Sequence, residues 1–327
     1  MINSHQISIL NSLRAFAAFS VCIFHFICTT KGFITNSYII DFFSIGKNGV
    51  QLFFVISGFI IPWSMYHSNY KINYLPKFLL KRLLRLEPPY IISIVIAIII
   101  ISLRKIILKN NDLDFELQQV VLHLGYLIPF FEDFKWINQV YWTLAIEFQY
   151  YLLIALLFIP ITSKNKFIRF FTFIILLLNG LFTNSEFLPY WLPVFLLGIL
   201  IFLNKINKIN KYEYYILTFI TFIFLYFYHS YGVIIYSFLG VIGIMFLSDK
   251  SFKIGDLFGE ISYSIYLTHT IIGATVINIL SHNVTNEFYK LIILLLGLLI
   301  TFLVSKLMYN FIEKPSKLFS SKIKYAN

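Results

Sequence analysis

The chain has 327 residues, 59% hydrophobic and only 13% charged, with a formal net charge of +11 and a mean hydropathy of +0.79. A soluble domain is about 45–50% apolar and about 25% charged, so a soluble enzyme is excluded. The 37 Phe and 22 Tyr exclude a disordered chain. What remains is an integral membrane protein, expected as a single domain over residues 1–327 with no separate soluble part.

Roughly ten apolar stretches of spanning length follow one another. They lie near 9–30, 48–66, 88–103, 140–161, 167–182, 188–204, 212–229, 231–248, 257–281 and 289–312. The first carries Arg14 and His25 and no small-residue cleavage site, so it reads as a retained span rather than a signal peptide. The segment 116–131 is apolar but short and holds His123, Gly125 and Pro129; it is expected to be interfacial or re-entrant.

Basic residues crowd the loops on the N-terminal side of this arrangement. They include Lys71, Lys77, Lys81, Arg82, Arg85, Lys164, Lys166, Arg169, Lys314 and Lys317. The opposite loops hold fewer: Lys31, Lys47, Arg104, Lys105, Lys109, Lys135 and Lys290, several of them beside Asp112, Asp114, Glu116, Glu132 and Asp133. Positive residues favour the cytoplasmic face. The expected fold is therefore an all-α, polytopic membrane helix bundle of about ten transmembrane helices with both termini cytoplasmic. The positive charge reports topology, not nucleic acid, because no basic face with interleaved aromatics stands on a soluble fold. Cys22 and Cys28 point about 240° apart on a helix and cannot pair.

An ionisable group inside a span costs at least ~2.5–3.5 kcal/mol, so each is a functional candidate. Arg14 and His25 are about three turns apart and share one face, about 16 Å apart along the axis. They read either as a snorkelling arginine and a structural histidine or as functional groups. Glu147, in Trp142-Thr-Leu-Ala-Ile-Glu147, lies at a depth matching His25. A carboxylate beside an imidazole raises its basicity, giving either a general-base pair or a structural fastening. Ser57-Gly58 lies mid-span, where small residues admit a close helix or a ligand. Arg82 and Arg85 share a helix face and suit phosphate groups, or report topology and anionic lipid. Tyr266 and His269 share a face near mid-membrane, lining a polar cavity or pairing with a neighbour. Glu313-Lys-Pro315 reads as a helix stop. No metal-ligand spacing, phosphate-cradling glycine loop or dinucleotide fingerprint occurs. His5, His67, His123, His229 and His282 fall in loops or at span edges and receive no role.

The set as a whole resembles the acyltransferase-3 family of multi-pass membrane O-acyltransferases, of the bacterial glycan O-acetyltransferase type. The family's L-x-x-L-R-x-x-A opening stands as Leu10 to Ala17, with ten residues between Arg14 and His25. Its G-V-x-L-F-F-V-x-S-G-F matches Gly49 to Phe59, its R-x-x-R matches Arg82 to Arg85, and its W-[ST]-L-x-x-E matches Trp142 to Glu147. Its S-Y-x-x-Y-L-x-H matches Ser262 to His269, and its E-x-P matches Glu313 to Pro315. Ala15 stands where the family often has Gly.

The resemblance implies transfer of an acyl group, usually acetyl, from cytosolic acyl-CoA to a hydroxyl of a cell-surface or lipid-linked glycan, in the cytoplasmic (inner) membrane. It implies His25 as base or acyl carrier, with Glu147 and Arg14 as catalytic partners. It further implies Arg82 and Arg85 as the acyl-CoA site, and Ser57, Trp142, Tyr266 and His269 as pocket residues. Acyl-CoA enters as cosubstrate, with no resident cofactor or metal. The implied partners are acyl-CoA, a glycan or lipid-linked saccharide and membrane lipid, not nucleic acid. The motif-bearing core is 9–315, with no fused soluble domain. A passage is expected to join His25 to the arginine pair. A transporter or lipid-linked glycan flippase using intramembrane charge is the rival reading.

Overall fold

A computed structural model describes residues 8–30, 32–108, 116–181 and 184–325. His5, Lys31, Lys109, Asp112 and Asp114 lie outside the described residues. The described chain is helical. In order come α1 (Ile9–Phe24), α2 (Ser37–Ser44), α3 (Gly49–His67), α4 (Leu75–Leu108), α5 (Leu117–Leu124), α6 (Trp142–Ile161) and α7 (Lys166–Asn179). They are followed by α8 (Leu188–Lys205), α9 (Lys211–Tyr228), α10 (Tyr231–Phe246), α11 (Lys253–Glu260) and α12 (Ser262–Thr268). α13 (Thr275–Leu280), α14 (Glu287–Met308) and α15 (Lys314–Ser321) complete the fold.

Seven helical stretches among the described residues are long and apolar enough to cross a membrane, fewer than the ten expected. α7 and α10 are shorter, and α9 opens with Lys-Tyr-Glu-Tyr-Tyr, which dilutes its hydropathy. The segment expected to be interfacial or re-entrant forms only the eight-residue α5 and a short 3₁₀ turn at Ile128–Phe130. Buried His123 holds this segment down. Its Nδ1 donates to the Gln119 carbonyl (2.7 Å), and its Nε2 accepts from the Ile137 amide (2.9 Å).

α8 and α3 form the centre of the bundle. α8 is buried without a break from Trp191 to Leu203, while helices around it expose Phe, Leu and Ile outward, as lipid contact requires. α3 and α8 meet backbone to backbone. A Cβ on Gly58 would strike the Phe195 carbonyl, and one on Gly198 would strike the Val55 carbonyl. Close approach is thus what Gly58 supplies, since helices in lipid associate by packing rather than by hydrophobic exclusion.

Two boundaries differ from expectation. α4 begins at Leu75, so Arg82 and Arg85 lie inside a spanning helix instead of ahead of one. Pro88 and Pro89 sit within it and remove amide donors. Nearby, the Leu86 carbonyl accepts a hydrogen bond from the Tyr263 hydroxyl (3.0 Å), tying α4 to α12. Glu313-Lys-Pro315 is not a helix stop either. A π turn at Tyr309–Glu313 runs directly into α15, where Pro315 occupies the first turn and needs no amide partner.

Candidate active site

Two cavities occupy opposite ends of the bundle. The first, about 360 Å³, lies between the N-terminal parts of α1 and α4, α3 along Val50 to Ser64, the N-terminal half of α6, α12 and the α14–α15 junction. Arg14, Arg82, Arg85 and Lys317 line it, facing Glu147 and Glu313. The carboxylates are already occupied. Glu313, 1% exposed, holds Lys317 Nζ at 2.6 Å and accepts from Ser264 Oγ at 2.6 Å. Glu147 accepts from Ser57 Oγ at 3.0 Å and from the Tyr151 hydroxyl at 2.5 Å.

None of the three arginines makes an ion pair with a described residue. Arg82 is 7% exposed, its Nε lacks a hydrogen-bond partner, and its guanidinium lies over the Phe78 and Tyr151 rings at 5.4 and 5.7 Å. A buried guanidinium without a carboxylate is costly unless an anion joins it. Guanidiniums left unpaired in this way suit an anionic ligand.

The second cavity, about 390 Å³, opens where α1 ends and where α3, α6, α8 and α10 begin. His25, Asn48, Gln51, Trp142, Tyr190, Trp191 and His229 line it. Val50 and Tyr266 line both cavities and form their common wall, so two chambers abut where one passage was expected. The Tyr266 hydroxyl is fixed in that wall by the Val140 carbonyl (3.0 Å) and Thr143 Oγ1 (2.7 Å). A smaller cleft flanks the other side of His25, between Thr29, Asn138 and Thr270.

The partner of His25 is His269, not Glu147. Both histidines open π turns, His25–Thr29 and His269–Ala274. Such wide turns re-aim side chains and recur at functional sites. His25 Nδ1 lies 2.9 Å from the Val21 carbonyl oxygen and 3.1 Å from His269 Nε2. His269, fully buried, has its own Nδ1 3.0 Å from the Ile265 carbonyl oxygen.

These contacts assign the protons, because a carbonyl only accepts and each Nδ1 must donate. His269 Nε2 is then a lone pair, which shares the His25 Nδ1 hydrogen with Val21. His25 Nε2 is left as an uncommitted lone pair at the cavity rim. That is the arrangement of a general base with an orienting acceptor behind it. The expected depth match between His25 and Glu147 fails to bring them together because Ser57 and Tyr151 capture the carboxylate on the arginine side.

The family model for the acyltransferase domain matches residues 7–310. The chain belongs to the acyltransferase-3 family. No curated protein and no solved structure matches it. In this acyltransferase the expected residues divide between the chambers. Arg14, Ser57, Arg82, Arg85 and Glu147 line the arginine chamber, His25 and Trp142 line the other, Tyr266 stands between, and His269 backs His25. Tyr151, Tyr263, Ser264, Tyr190 and Trp191 could not be picked out beforehand. Each is one aromatic or hydroxyl residue among many in a span, and only packing selects it. Gln51 and His229 carried a weak signal, being polar within or beside apolar runs.

Proposed function

We propose that this acyltransferase moves an acyl group, acetyl in the first instance, from cytosolic acyl-CoA to a hydroxyl of a cell-surface or lipid-linked glycan, working in the cytoplasmic membrane. The observation that carries the donor half is the set of Arg14, Arg82 and Arg85 guanidiniums unpaired in one chamber. The phosphates of acyl-CoA are the polyanion that suits them. The pantetheine arm reaches toward the Tyr266 wall, bringing the thioester to the boundary between chambers.

The acceptor hydroxyl approaches from the other chamber. His25 Nε2 takes its proton, the alkoxide oxygen attacks the thioester carbonyl, and an ester C–O bond forms as the C–S bond breaks. The departing thiolate recovers the proton from the imidazolium, so the base is regenerated. His269 Nε2 stabilises the imidazolium through the His25 Nδ1 hydrogen meanwhile.

The test uses the purified chain in proteoliposomes with radiolabelled acetyl-CoA and an extracted glycan mixture. His25→Ala is expected to abolish labelling in a protein that still inserts. Arg82→Gln and Arg85→Gln are each expected to raise the KM for acetyl-CoA about tenfold, the loss of one charge-assisted contact of roughly 1.4 kcal/mol. Retained labelling in folded His25→Ala, or an unchanged donor KM in both arginine variants, would overturn the reading.

A further inference from the structure

We propose that the His25-side chamber is a saccharide subsite in which Trp142, Trp191 and Tyr190 stack on a pyranose ring while Gln51 and the Trp142 indole N–H bind its hydroxyls. This subsite rests on the transfer reading and deepens it, adding Trp191, Tyr190 and Gln51 to Trp142, which the family resemblance gave only as a pocket residue.

The chamber wall is amphiphilic in a specific way. Trp142 and Trp191 both line the chamber, their ring centroids 5.6 Å apart and their planes tilted by 35°. Tyr190 meets Trp191 edge-on at 4.8 Å, and His229 packs against both, 4.5 Å from Tyr190 and 5.6 Å from Trp191. The platform is held rigid from behind. Trp191 Nε1 donates to the Ser185 carbonyl (2.8 Å), and Phe54 packs on Trp191 at 5.8 Å and on Trp142 at 6.3 Å.

Against these apolar faces stand polar groups without partners. Gln51 is 4% exposed, lines the chamber, and its Oε1 makes no hydrogen bond. The Trp142 indole N–H likewise makes none among the described residues. A buried amide left unsatisfied costs about 1–3 kcal/mol. That cost is tolerated at a site where a ligand supplies the missing bond.

These features select a ligand class. An acyl chain would leave the amide unsatisfied, and a polyanion would find one exposed lysine, Lys47, and no arginine here. No carboxylate lines this chamber, so a cationic ligand gains nothing from it either. A pyranose answers the aromatic faces and the unsatisfied amide together, because its axial C–H face is apolar and its rim alternates donors and acceptors. A ring lying on the Trp142–Trp191 face would turn one rim hydroxyl toward His25 Nε2, which lines the same chamber. The acyl oxygen acceptor is then chosen by how the ring stacks.

The full chain in nanodiscs tests this by two readouts. The first is quenching of tryptophan fluorescence by a panel of methyl pyranosides. The second is release of CoA thiol from acetyl-CoA in their presence. Saturable quenching by at least one pyranoside is expected in the wild type. Trp191→Leu and Gln51→Leu are each expected to weaken it about 5- to 10-fold, with the acetyl-CoA KM unchanged, while His25→Ala keeps the quenching and loses thiol release. Trp191→Phe serves as the fold-preserving variant and is expected to retain an intermediate affinity.

Quenching that saturates without thiol release would sustain the subsite and defeat the transfer reading. Pyranoside-dependent thiol release with a saccharide KM unmoved in Trp191→Leu, Trp191→Phe and Gln51→Leu would overturn the subsite and leave transfer standing. A wild type that no pyranoside quenches or activates would also overturn the subsite.

Discussion

His269→Phe removes the acceptor behind His25 and keeps the volume of a ring in a fully buried position. Two acceptors face the His25 Nδ1 hydrogen, His269 Nε2 at 3.1 Å and the Val21 carbonyl at 2.9 Å. The variant deletes only the first, so Val21 still enforces the tautomer. The collapse of about 10⁴ that follows loss of tautomer control in a serine-protease triad is therefore not expected. What is lost is one hydrogen bond to the imidazolium that forms as the acceptor hydroxyl is deprotonated. A hydrogen bond to a charged group is worth about 1.5–3 kcal/mol. At about 1.4 kcal/mol per decade, kcat should fall roughly 10- to 150-fold.

The donor KM should not move, since the arginines lie in the other chamber. His269→Gln offers an amide oxygen near the place of Nε2 and should recover most of the loss, which a purely space-filling role for His269 would not allow. Steady-state acyl transfer in proteoliposomes reads all three proteins. A His269→Phe enzyme within threefold of wild type, or a glutamine variant as impaired as the phenylalanine one, would refute the orienting role.

Three further outcomes follow from the same geometry. Gly58→Val should leave little folded protein by size-exclusion chromatography, because its side chain would collide with the Phe195 backbone carbonyl, which cannot step aside as a side-chain tip could. Burial keeps the His123 imidazole below its ordinary value of 6.5, and its Nε2 lone pair holds the Ile137 amide. Its contribution to stability is thus complete above pH 6.5 and declines as pH falls below it, where protonation would set two N–H groups face to face. The hydrogen-exchange protection factor at Ile137 should fall over that range, and His123→Phe should leave it low at every pH. Glu313→Gln should free Lys317 Nζ from its 2.6 Å carboxylate contact. The extra unpaired cation in the arginine chamber should lower the KM for acyl-CoA about two- to fivefold at low salt, an effect that added salt suppresses.

The amino-acid sequence by itself determined the class of this protein and its set of chemical groups. Hydrophobic runs of spanning length demand helices, because lipid satisfies no backbone group. Ionisable residues within those runs stand out for the same reason, and Arg14, His25, Glu147 and His269 were legible that way, whereas Arg82 and Arg85 stood out only by the helix face they share. Helical rise sets Arg14 and His25 about 16 Å apart along their helix, and the structure gives each a different chamber.

Only the tertiary structure decided who meets whom. His25 and Glu147 share a depth, yet depth leaves rotation about each helix axis free, and packing turned Glu147 toward Ser57 and Tyr151 and His25 toward His269. The helices at Pro88–Pro89 and at Glu313–Pro315 run on past their apparent breaks. At the second, proline stands where a helix start needs no amide. The aromatic platform was invisible among the 37 Phe, 22 Tyr and 4 Trp of the chain for the same reason. Aromatic residues are ordinary filling for a membrane helix, and a binding face arises only when distant segments bring a few of them together around an unsatisfied polar group.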